Sequence, residues 1–253
     1  MSALIVIPAR YASTRLPAKP LLRETGKYLI QHVYERARAC RHASAVVVAT
    51  DDTRIARAVE EFGGQVVMTR ADHPSGTDRV AEVARGTTHD IIVNLQGDEP
   101  LIDPASLDLV IEQLQSDPQA RMATLATPIR SEEQYRNPNC VKVVLGDRGQ
   151  ALYFSRSPIP FVRDGRPDFA AIPPRFLLHV GLYAYRRPFL LEYAATPPSA
   201  LEQLEKLEQL RALSLGVTIQ VGVVAETSLG VDTLDDYRHF VAAYGELQRR
   251  QAA

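Results

Sequence analysis

The sequence predicts an α/β fold with a mostly parallel central sheet. In the first hundred residues, short apolar runs alternate with longer amphipathic runs. The apolar runs lack the period-two alternation of a strand that has one face in water. Continuous apolar runs are typical of parallel strands that helices cover on both faces, joined by right-handed crossovers.

The predicted elements of this half follow in the order strand, helix, strand. Strands are expected at Ala3–Ile7, Ala45–Ala49, Val66–Met68 and Ile91–Leu95, and helices at Tyr28–Ala39, Thr53–Phe62 and Thr77–Ala84. A helix at Leu107–Leu114 and a strand at Met122–Thr127 continue the pattern.

The regular pattern then gives way to a proline-rich, aromatic stretch. Strands are predicted there at Val141–Leu145, Ala151–Phe154 and Phe176–Tyr185. We interpret residues 1–253 as one domain that carries an inserted β-rich subdomain at about 128–190.

After the insertion, the α/β pattern resumes. A helix is expected at Ala200–Leu213, a strand at Thr218–Val224 and a helix at Leu234–Gln248. In the first of these helices, the leucines at 201, 204, 207 and 210 are spaced to form the core side.

The composition indicates a cytoplasmic protein without a nucleic-acid partner. The chain has 29 Lys and Arg against 30 Asp and Glu, with no basic run that could follow a nucleic-acid backbone. No apolar segment reaches the length of a membrane span or a secretory signal. The two cysteines, Cys40 and Cys140, form no Cys-x-x-Cys pattern and fit a reducing compartment.

The loop after the first strand is rich in cations. Ligands of open parallel sheets bind at the carboxyl ends of the strands, so this loop is a candidate site. It reads PARYASTRLPAKP and contains Arg10, Arg15 and Lys19, without the glycines of a dinucleotide-binding or P-loop motif. Guanidinium groups can chelate phosphate oxygens, while Ser13 adds a hydroxyl. We interpret the segment as a triphosphate-binding loop, although a solvated cationic loop is the simpler alternative.

Two aspartates in later loops are candidate magnesium ligands. Asp98 follows the strand Ile91–Leu95, and Asp232 precedes the last helix. Mg²⁺ favours one or two protein carboxylates together with phosphate oxygens and water. Each aspartate by itself also fits a turn or a helix-dipole role. Thr233 and Asp236 have the spacing of a capping box.

A further loop, RADHPSGTDR at residues 70–79, precedes a helix. Ser75 and Asp78 again have capping-box spacing, so backbone amides at this helix start are available to a ligand. The six histidines show no metal-ligand spacing, and His73 fits a loop role better than that of a catalytic base.

Taken together, the motifs closely resemble those of the 3-deoxy-manno-octulosonate cytidylyltransferases. The segments that carry the resemblance are IPARYASTRLPAKP, VMTRADHPSGTDR, VNLQGDEP, ATLATPI, NPNCVKVVL, ALYFSRSPIPF, HVGLYAYR, LEKLEQLR and GVDT. They run in order from Ile7 to Thr233. The resemblance implies a Rossmann-like, nucleotide-diphospho-sugar-transferase-like fold with a mostly parallel sheet. It also implies that the inserted subdomain serves dimerisation or acts as a cap, in a homodimer.

The resemblance also implies a role for individual residues. The positions that match the family's loop for the CTP phosphates are Arg10, Ser13, Arg15 and Lys19. Those that match positions around the nucleotide and the sugar are Ser75, Gly76 and Gln96. The magnesium carboxylates are matched by Asp98 and Asp232. The sugar-binding positions are matched by Arg156, His179, Tyr183, Glu208 and Gln209. We expect Arg10, Arg15, Lys19 and Asp98 to be catalytic, with Mg²⁺ as the cofactor.

Two positions depart from the usual family pattern. Ala18 stands where a glycine is frequent, which matters if that position needs a positive φ. Tyr28 stands where a proline after Gly-Lys is usual.

The expected reaction is transfer of CMP from CTP to the anomeric hydroxyl of 3-deoxy-D-manno-octulosonate for lipopolysaccharide synthesis. Two alternatives stay open at this point. The sugar could be another acidic sugar, such as the 8-amino analogue or a nonulosonate, or the chain could be a non-catalytic sensor of nucleotide or sugar.

Overall fold

The chain forms two compact units. The computed structural model describes residues 1–12, 16–228 and 230–251. The first unit consists of Ser2–Asp108 and Ser228–Ala253, and the second of Leu109–Thr227 with Met1. The predicted insertion at about 128–190 lies within the second unit.

A four-stranded parallel sheet forms the centre of the first unit. Its order is β3-β2-β1-β4, with β1 at Ala3–Ala9, β2 at Ala45–Thr50, β3 at Val66–Met68 and β4 at Ile91–Asn94. The predicted parallel pairing is confirmed. The prediction that helices cover every strand on both faces is wrong for β3, because Val67 and Met68 are exposed. This short strand lies at the edge of the sheet and pairs only with β2 among the described strands.

The helices of the first unit are α1 at Leu29–Arg38, α2 at Thr53–Glu61, α3 at Gly76–Arg85 and α9 at Leu234–Gln251. A 3-10 turn covers Lys19–Leu21, and α4 at Pro104–Ser116 starts in this unit and continues into the second. Local sequence sets the starts of α3 and α9. Asp78 donates its backbone N–H to Ser75 Oγ, and Thr233 and Asp236 form the predicted reciprocal cap.

The strands of the second unit pair in both parallel and antiparallel orientation. They are β5 at Met122–Pro128, β6 at Lys142–Leu145, β7 at Ala151–Ser155, β8 at Leu177–Arg186 and β9 at Ile219–Val223. β5 pairs in parallel with β9 and antiparallel with β8, while β6 pairs antiparallel with β7 and β8. The helices are α5 at Glu132–Arg136, α6 at Arg187–Ala195, α7 at Ala200–Glu205 and α8 at Gln209–Ser214.

The single helix expected at 200–213 is wrong. Lys206 adopts a left-handed conformation with φ of 53°, and this residue ends α7 before α8 begins. The four leucines therefore do not share a face: Leu201 and Leu204 are exposed, and Leu207 and Leu210 are buried. A left-handed residue changes the direction of the chain, so a pattern that spans it no longer describes one helix.

No helix in the described part of the chain combines the length and the apolar character that crossing a bilayer requires.

Candidate active site

The loops at the carboxyl ends of β1 and β4 carry Arg10, Lys19 and Asp98, three of the predicted site residues of the first unit. Arg10 follows β1 directly and donates from Nη2 to the carbonyl oxygen of His73, at 2.7 Å. This bond ties the loop after β1 to the segment that precedes α3. Arg10 is exposed, so its remaining N–H groups are accessible from solvent.

Lys19 contacts both predicted metal carboxylates. Its Nζ lies 2.6 Å from Asp98 Oδ2 and 3.4 Å from Asp232 Oδ1. Three residues that are far apart in sequence thus meet at one ammonium group. With 15% of its side chain exposed, Lys19 is the most enclosed member of this cluster.

Backbone geometry explains why these three residues meet. Val231 donates its N–H to the Asp98 carbonyl oxygen at 2.8 Å, which places Asp232 next to Asp98. Gly97 lies so close to β1 that a Cβ there would be 2.9 Å from the Pro8 carbonyl oxygen. A glycine is therefore needed for the loop after β4 to pack against the end of β1.

The backbone of Ala18, directly before Lys19, is strained. Its φ is 54°, in the left-handed region, and it precedes the 3-10 turn that begins at Lys19. The condition raised by the sequence, that this position needs a positive φ, is met. An alanine in this conformation costs roughly 1 kcal/mol relative to its preferred backbone geometry.

Glu99 adds a buried acid beside the cluster and was not among the predicted site residues. It is 8% exposed, and Ser228 Oγ donates to its Oε2 at 3.4 Å. Burial, and secondarily the negative charge of Asp98, raise the pKa of Glu99 to about 7. The signal in the sequence was the acidic pair that directly follows Gly97.

Asp98 and Asp232 are compatible with a magnesium site that other ligands complete. Among the described residues, no group of three or more His, Cys, Asp and Glu side chains is arranged to hold a metal ion. Asp98 and Asp232 nevertheless share one cationic partner, so both can face a single positive charge. Mg²⁺ needs only one or two such carboxylates when phosphate oxygens and water complete its shell.

The start of α3 forms another part of the predicted nucleotide site. Ser75 caps the helix, and Gly76 is its first residue. Gln96 is partly buried in the loop after β4. His73 contacts Glu82 through Nε2, in addition to the bond from Arg10 to its carbonyl. This supports the loop role predicted for His73. Ser13 and Arg15, two predicted phosphate ligands, lie outside the described residues.

Arg79 braces this end of the first unit and was not predicted. It is fully buried in α3, with Nη1 donating to Thr69 Oγ1 and Nη2 lying 2.8 Å from Asp51 Oδ1. Burial lowers the pKa of Arg79. Arg79 connects α3 to the segments that follow β2 and β3. The available signal was an arginine on the apolar face of the predicted helix.

In the second unit, carbonyl oxygens fix the guanidinium of Arg156. Nε donates to the Glu205 carbonyl at 2.6 Å, Nη1 to the Pro138 carbonyl at 3.0 Å, and Nη2 to the Lys206 carbonyl at 3.4 Å. Arg156 has no salt bridge with a carboxylate among the described residues. Its positive charge is therefore available to an anionic ligand.

His179 and Tyr183 lie together on β8. Their ring centroids are 5.4 Å apart, and His179 Nε2 lies 3.1 Å from Thr124 Oγ1. Burial lowers the pKa of His179 to about 3, and burial, followed by the charges of Tyr193 and Glu208, raises the pKa of Tyr183 well above its usual value. Both groups are thus neutral at pH 7 and suited to hydrogen bonds with hydroxyl groups.

Gln209 and Glu208 begin α8. Gln209 is 3% exposed, and its Nε2 has no hydrogen-bond partner among the described residues. A buried amide without a partner is costly, so this donor is a credible ligand contact. Glu208 is exposed. The structure thus brings His179 close to Tyr183 within the second unit, and Lys19 close to both aspartates within the first.

Comparison with known proteins first defines the class. A family model described as cytidylyltransferase matches residues 4–219. Two solved structures share the fold. One is a cytidylyltransferase from Leptospira borgpetersenii, which has a TM-score of 0.63 and 19% identity; the match covers 95% of this chain and 85% of that one. The other is a 4-diphosphocytidyl-2C-methyl-D-erythritol synthase from Anaerococcus prevotii, which has a TM-score of 0.62 and 11% identity; the match covers 97% of this chain and 96% of that one. The predicted α/β nucleotidyltransferase fold is confirmed.

Closer relatives define the particular family. A 3-deoxy-manno-octulosonate cytidylyltransferase from Syntrophotalea carbinolica is 54% identical, over 93% of this chain and 96% of its own length. One from Rhodopirellula baltica is 51% identical, over 96% and 98%. A structure of CMP:2-keto-3-deoxy-manno-octonic acid synthetase complexed with CTP has a TM-score of 0.91 and 48% identity, covering 97% of this chain and 99% of that one. This chain belongs to the 3-deoxy-manno-octulosonate cytidylyltransferase family, as its motifs predicted.

Proposed function

We propose that this protein transfers CMP from CTP to the anomeric hydroxyl of 3-deoxy-D-manno-octulosonate and releases pyrophosphate. The observation that carries the proposal is the contact of Lys19 with Asp98 and Asp232, in a chain of this family. Two adjacent carboxylates can hold a divalent ion, and the cations of the loop after β1 can bind the triphosphate that accompanies it.

The reaction forms one bond and breaks another at the α-phosphorus. The anomeric oxygen attacks the α-phosphorus, and the bond from that phosphorus to the bridging oxygen of the β-phosphate breaks. Negative charge accumulates on the phosphate oxygens as pyrophosphate leaves. Arg10, Arg15 and Lys19 would neutralise this charge.

Magnesium is part of the proposal. Asp98 and Asp232 would hold the ion, which supplies charge neutralisation to the phosphates when bound. Lys19 already contacts both carboxylates, so it would balance their charge in the free protein. Ser13, Ser75, Gly76 and Gln96 would contact the nucleotide and the sugar.

Residues of the second unit would bind the sugar acid. Arg156 would hold its carboxylate, while His179, Tyr183, Glu208 and Gln209 would bind its hydroxyl groups. The neutral state of His179 and Tyr183 favours partners without charge.

The setting is proposed along with the reaction. We place the protein in the cytoplasm as a homodimer, with its product consumed in lipopolysaccharide synthesis. The family relation supports this setting, and gel filtration with light scattering measures the oligomeric state.

A substrate panel tests the proposed function. The protein is incubated with Mg²⁺, each of the four nucleoside triphosphates and a set of keto-deoxy sugar acids that includes the 8-amino analogue and a nonulosonate. We expect pyrophosphate release to be fastest with CTP and 3-deoxy-D-manno-octulosonate. Faster release with another sugar acid would reassign the substrate, and CTP binding without release by any sugar would indicate a sensor.

A further inference from the structure

Lys142 is a fully buried lysine, and among the described residues it forms no salt bridge with a carboxylate. It begins β6, and its Nζ donates to three carbonyl oxygens: Cys140 at 2.6 Å, Arg156 at 2.6 Å and Asn137 at 3.0 Å. Transfer of an ammonium group from water to such a place is expensive unless hydrogen bonds compensate for it. The three carbonyl oxygens supply this compensation, and they also show which parts of the backbone the lysine joins.

The three carbonyls show what Lys142 holds in place. Asn137 and Cys140 are the ends of a turn, since Cys140 donates its N–H to the Asn137 carbonyl at 3.1 Å. Pro138 lies inside that turn, and its carbonyl accepts from Arg156 Nη1. Lys142 thus joins the backbone of Arg156 to the turn that binds the Arg156 side chain.

Glu205 holds the same arginine from the end of α7. Its Oε2 accepts from the Arg156 backbone N–H at 2.8 Å, and its Oε1 accepts from Ser155 Oγ at 2.6 Å. Its own carbonyl accepts from Arg156 Nε. The left-handed residue Lys206 follows, and its carbonyl accepts from Nη2. Helix carbonyls that lack intrahelical partners are thereby satisfied by the guanidinium.

These contacts leave two N–H donors of the Arg156 guanidinium for a ligand. A guanidinium has five N–H donors, and three of them are taken by carbonyl oxygens. The contacts fix the plane of the group but do not neutralise its charge. A planar cation that is held rigidly loses less entropy when it binds a carboxylate.

We propose that Lys142 and Glu205 are positioning residues that hold the Arg156 guanidinium ready for the carboxylate of the sugar acid. This inference rests on the proposed function, because it takes the sugar acid as the ligand of Arg156. Neither residue needs to touch substrate, since both act on the arginine.

The test compares three variants with the wild-type protein. Lys142→Met removes the ammonium group, Glu205→Gln keeps the size of the side chain, and Arg130→Gln changes an exposed arginine of the same unit as a matched control. Michaelis constants are measured for CTP and for 3-deoxy-D-manno-octulosonate, along with inhibition by the carboxamide analogue of the sugar.

We expect the Michaelis constant for the sugar acid to rise about tenfold to a hundredfold in Lys142→Met and Glu205→Gln, because a displaced binding group loses its alignment. The constant for CTP should stay within about twofold in both variants, and Arg130→Gln should match the wild type. The preference for the acid over its carboxamide should shrink in the two variants, which a general loss of stability would not produce.

Either of two results would overturn the inference: an unchanged preference for the acid over the carboxamide, or an equal rise in both Michaelis constants. If Lys142→Met does not fold, Glu205→Gln decides the question alone. Failure of the proposed function is distinguishable, since the wild-type protein would then release no pyrophosphate with this sugar.

Discussion

At the scale of single residues, the strained Ala18 connects sequence to site most directly. It is one of two described residues other than glycine with a positive φ, and it is followed by Lys19. A sequence reveals such a position only by comparison with related sequences, because backbone strain arises from the folded environment. Here the indication was that family members frequently have a glycine where this chain has Ala18.

Relief of this strain should stabilise the protein. We expect Ala18→Gly to raise the free energy of unfolding by about 0.5–1 kcal/mol, the difference between left-handed strain and the greater flexibility of glycine in the unfolded chain. Urea denaturation measures it. Ala242→Gly, in the exposed face of α9, is the control and should lower stability by about 0.5–1 kcal/mol. A loss of stability in both variants would contradict the account.

Asp98 should be essential for chemistry and dispensable for folding. We expect Asp98→Asn to reduce turnover by at least about a hundredfold, because one of the two carboxylates that face Lys19 loses its charge. Circular dichroism should show an unchanged fold. Near-normal pyrophosphate release by this variant at ordinary magnesium concentrations would rule out the metal assignment.

Arg156 should act on one substrate only. Arg156→Ala removes a cation that has no carboxylate partner within the described part of the second unit, so binding of the sugar acid should weaken by about tenfold or more. Binding of CTP, measured by calorimetry, should be little changed. A loss of affinity confined to CTP would contradict the assignment of Arg156 to the sugar acid.

At the scale of elements, apolar runs predicted the parallel strands well, but helices in the second unit were harder to predict. β1, β2 and β4 read as buried runs because neighbours cover them. α5 and the start of α6 lie in a segment whose prolines and aromatic residues favoured strands, so neither helix was predicted. The break at Lys206 was not visible, since leucines continue at helical spacing on both sides of it.

The short helix α7 depends on its cap. Ser199 accepts from the Glu202 backbone, and the Glu202 side chain accepts in return from the Ser199 backbone. We expect Ser199→Ala to lower the free energy of unfolding by about 1 kcal/mol, as measured in urea. Ser116→Ala is the control: among the described residues, the Ser116 hydroxyl bonds to carbonyls of its own helix, so its loss should matter little. Equal effects of the two changes would argue against a special role for the cap.

At the scale of the whole molecule, the family and the reaction were predictable because motifs from both units occur together in one order. No single motif was sufficient. The sequence analysis missed four residues near the predicted site positions: Glu99, Arg79, Lys142 and Glu205. Their roles depend on burial and on backbone contacts, and neither can be read from residue type.

Two histidines should make the protein sensitive to acid. Burial lowers the pKa of His32 to about 4 and that of His179 to about 3, against about 6.5 in an unfolded chain. Below pH 6.5 the unfolded chain therefore binds protons that the folded protein does not. Stability should be full above pH 6.5 and should decline as the pH falls toward 4 and then 3.

Denaturation at pH 7 and pH 5 measures this decline. We expect it to be on the order of 2 kcal/mol, because the buried Glu99, with a pKa of about 7, takes up a proton in the folded protein over the same range and offsets part of the loss. His32→Gln should reduce the difference between the two pH values, while His239→Gln, at an exposed position of α9, should not. An identical pH dependence in the wild type and in His32→Gln would contradict the assignment to His32.

The central claim is that this protein joins CMP to the anomeric oxygen of 3-deoxy-D-manno-octulosonate. Its most direct test is mass spectrometry of the products formed from CTP, the sugar acid and Mg²⁺. The account predicts a CMP-sugar and pyrophosphate in equal amounts, both lost in Asp98→Asn. Release of pyrophosphate without a CMP-sugar, or a product that carries a different nucleotide, would contradict it.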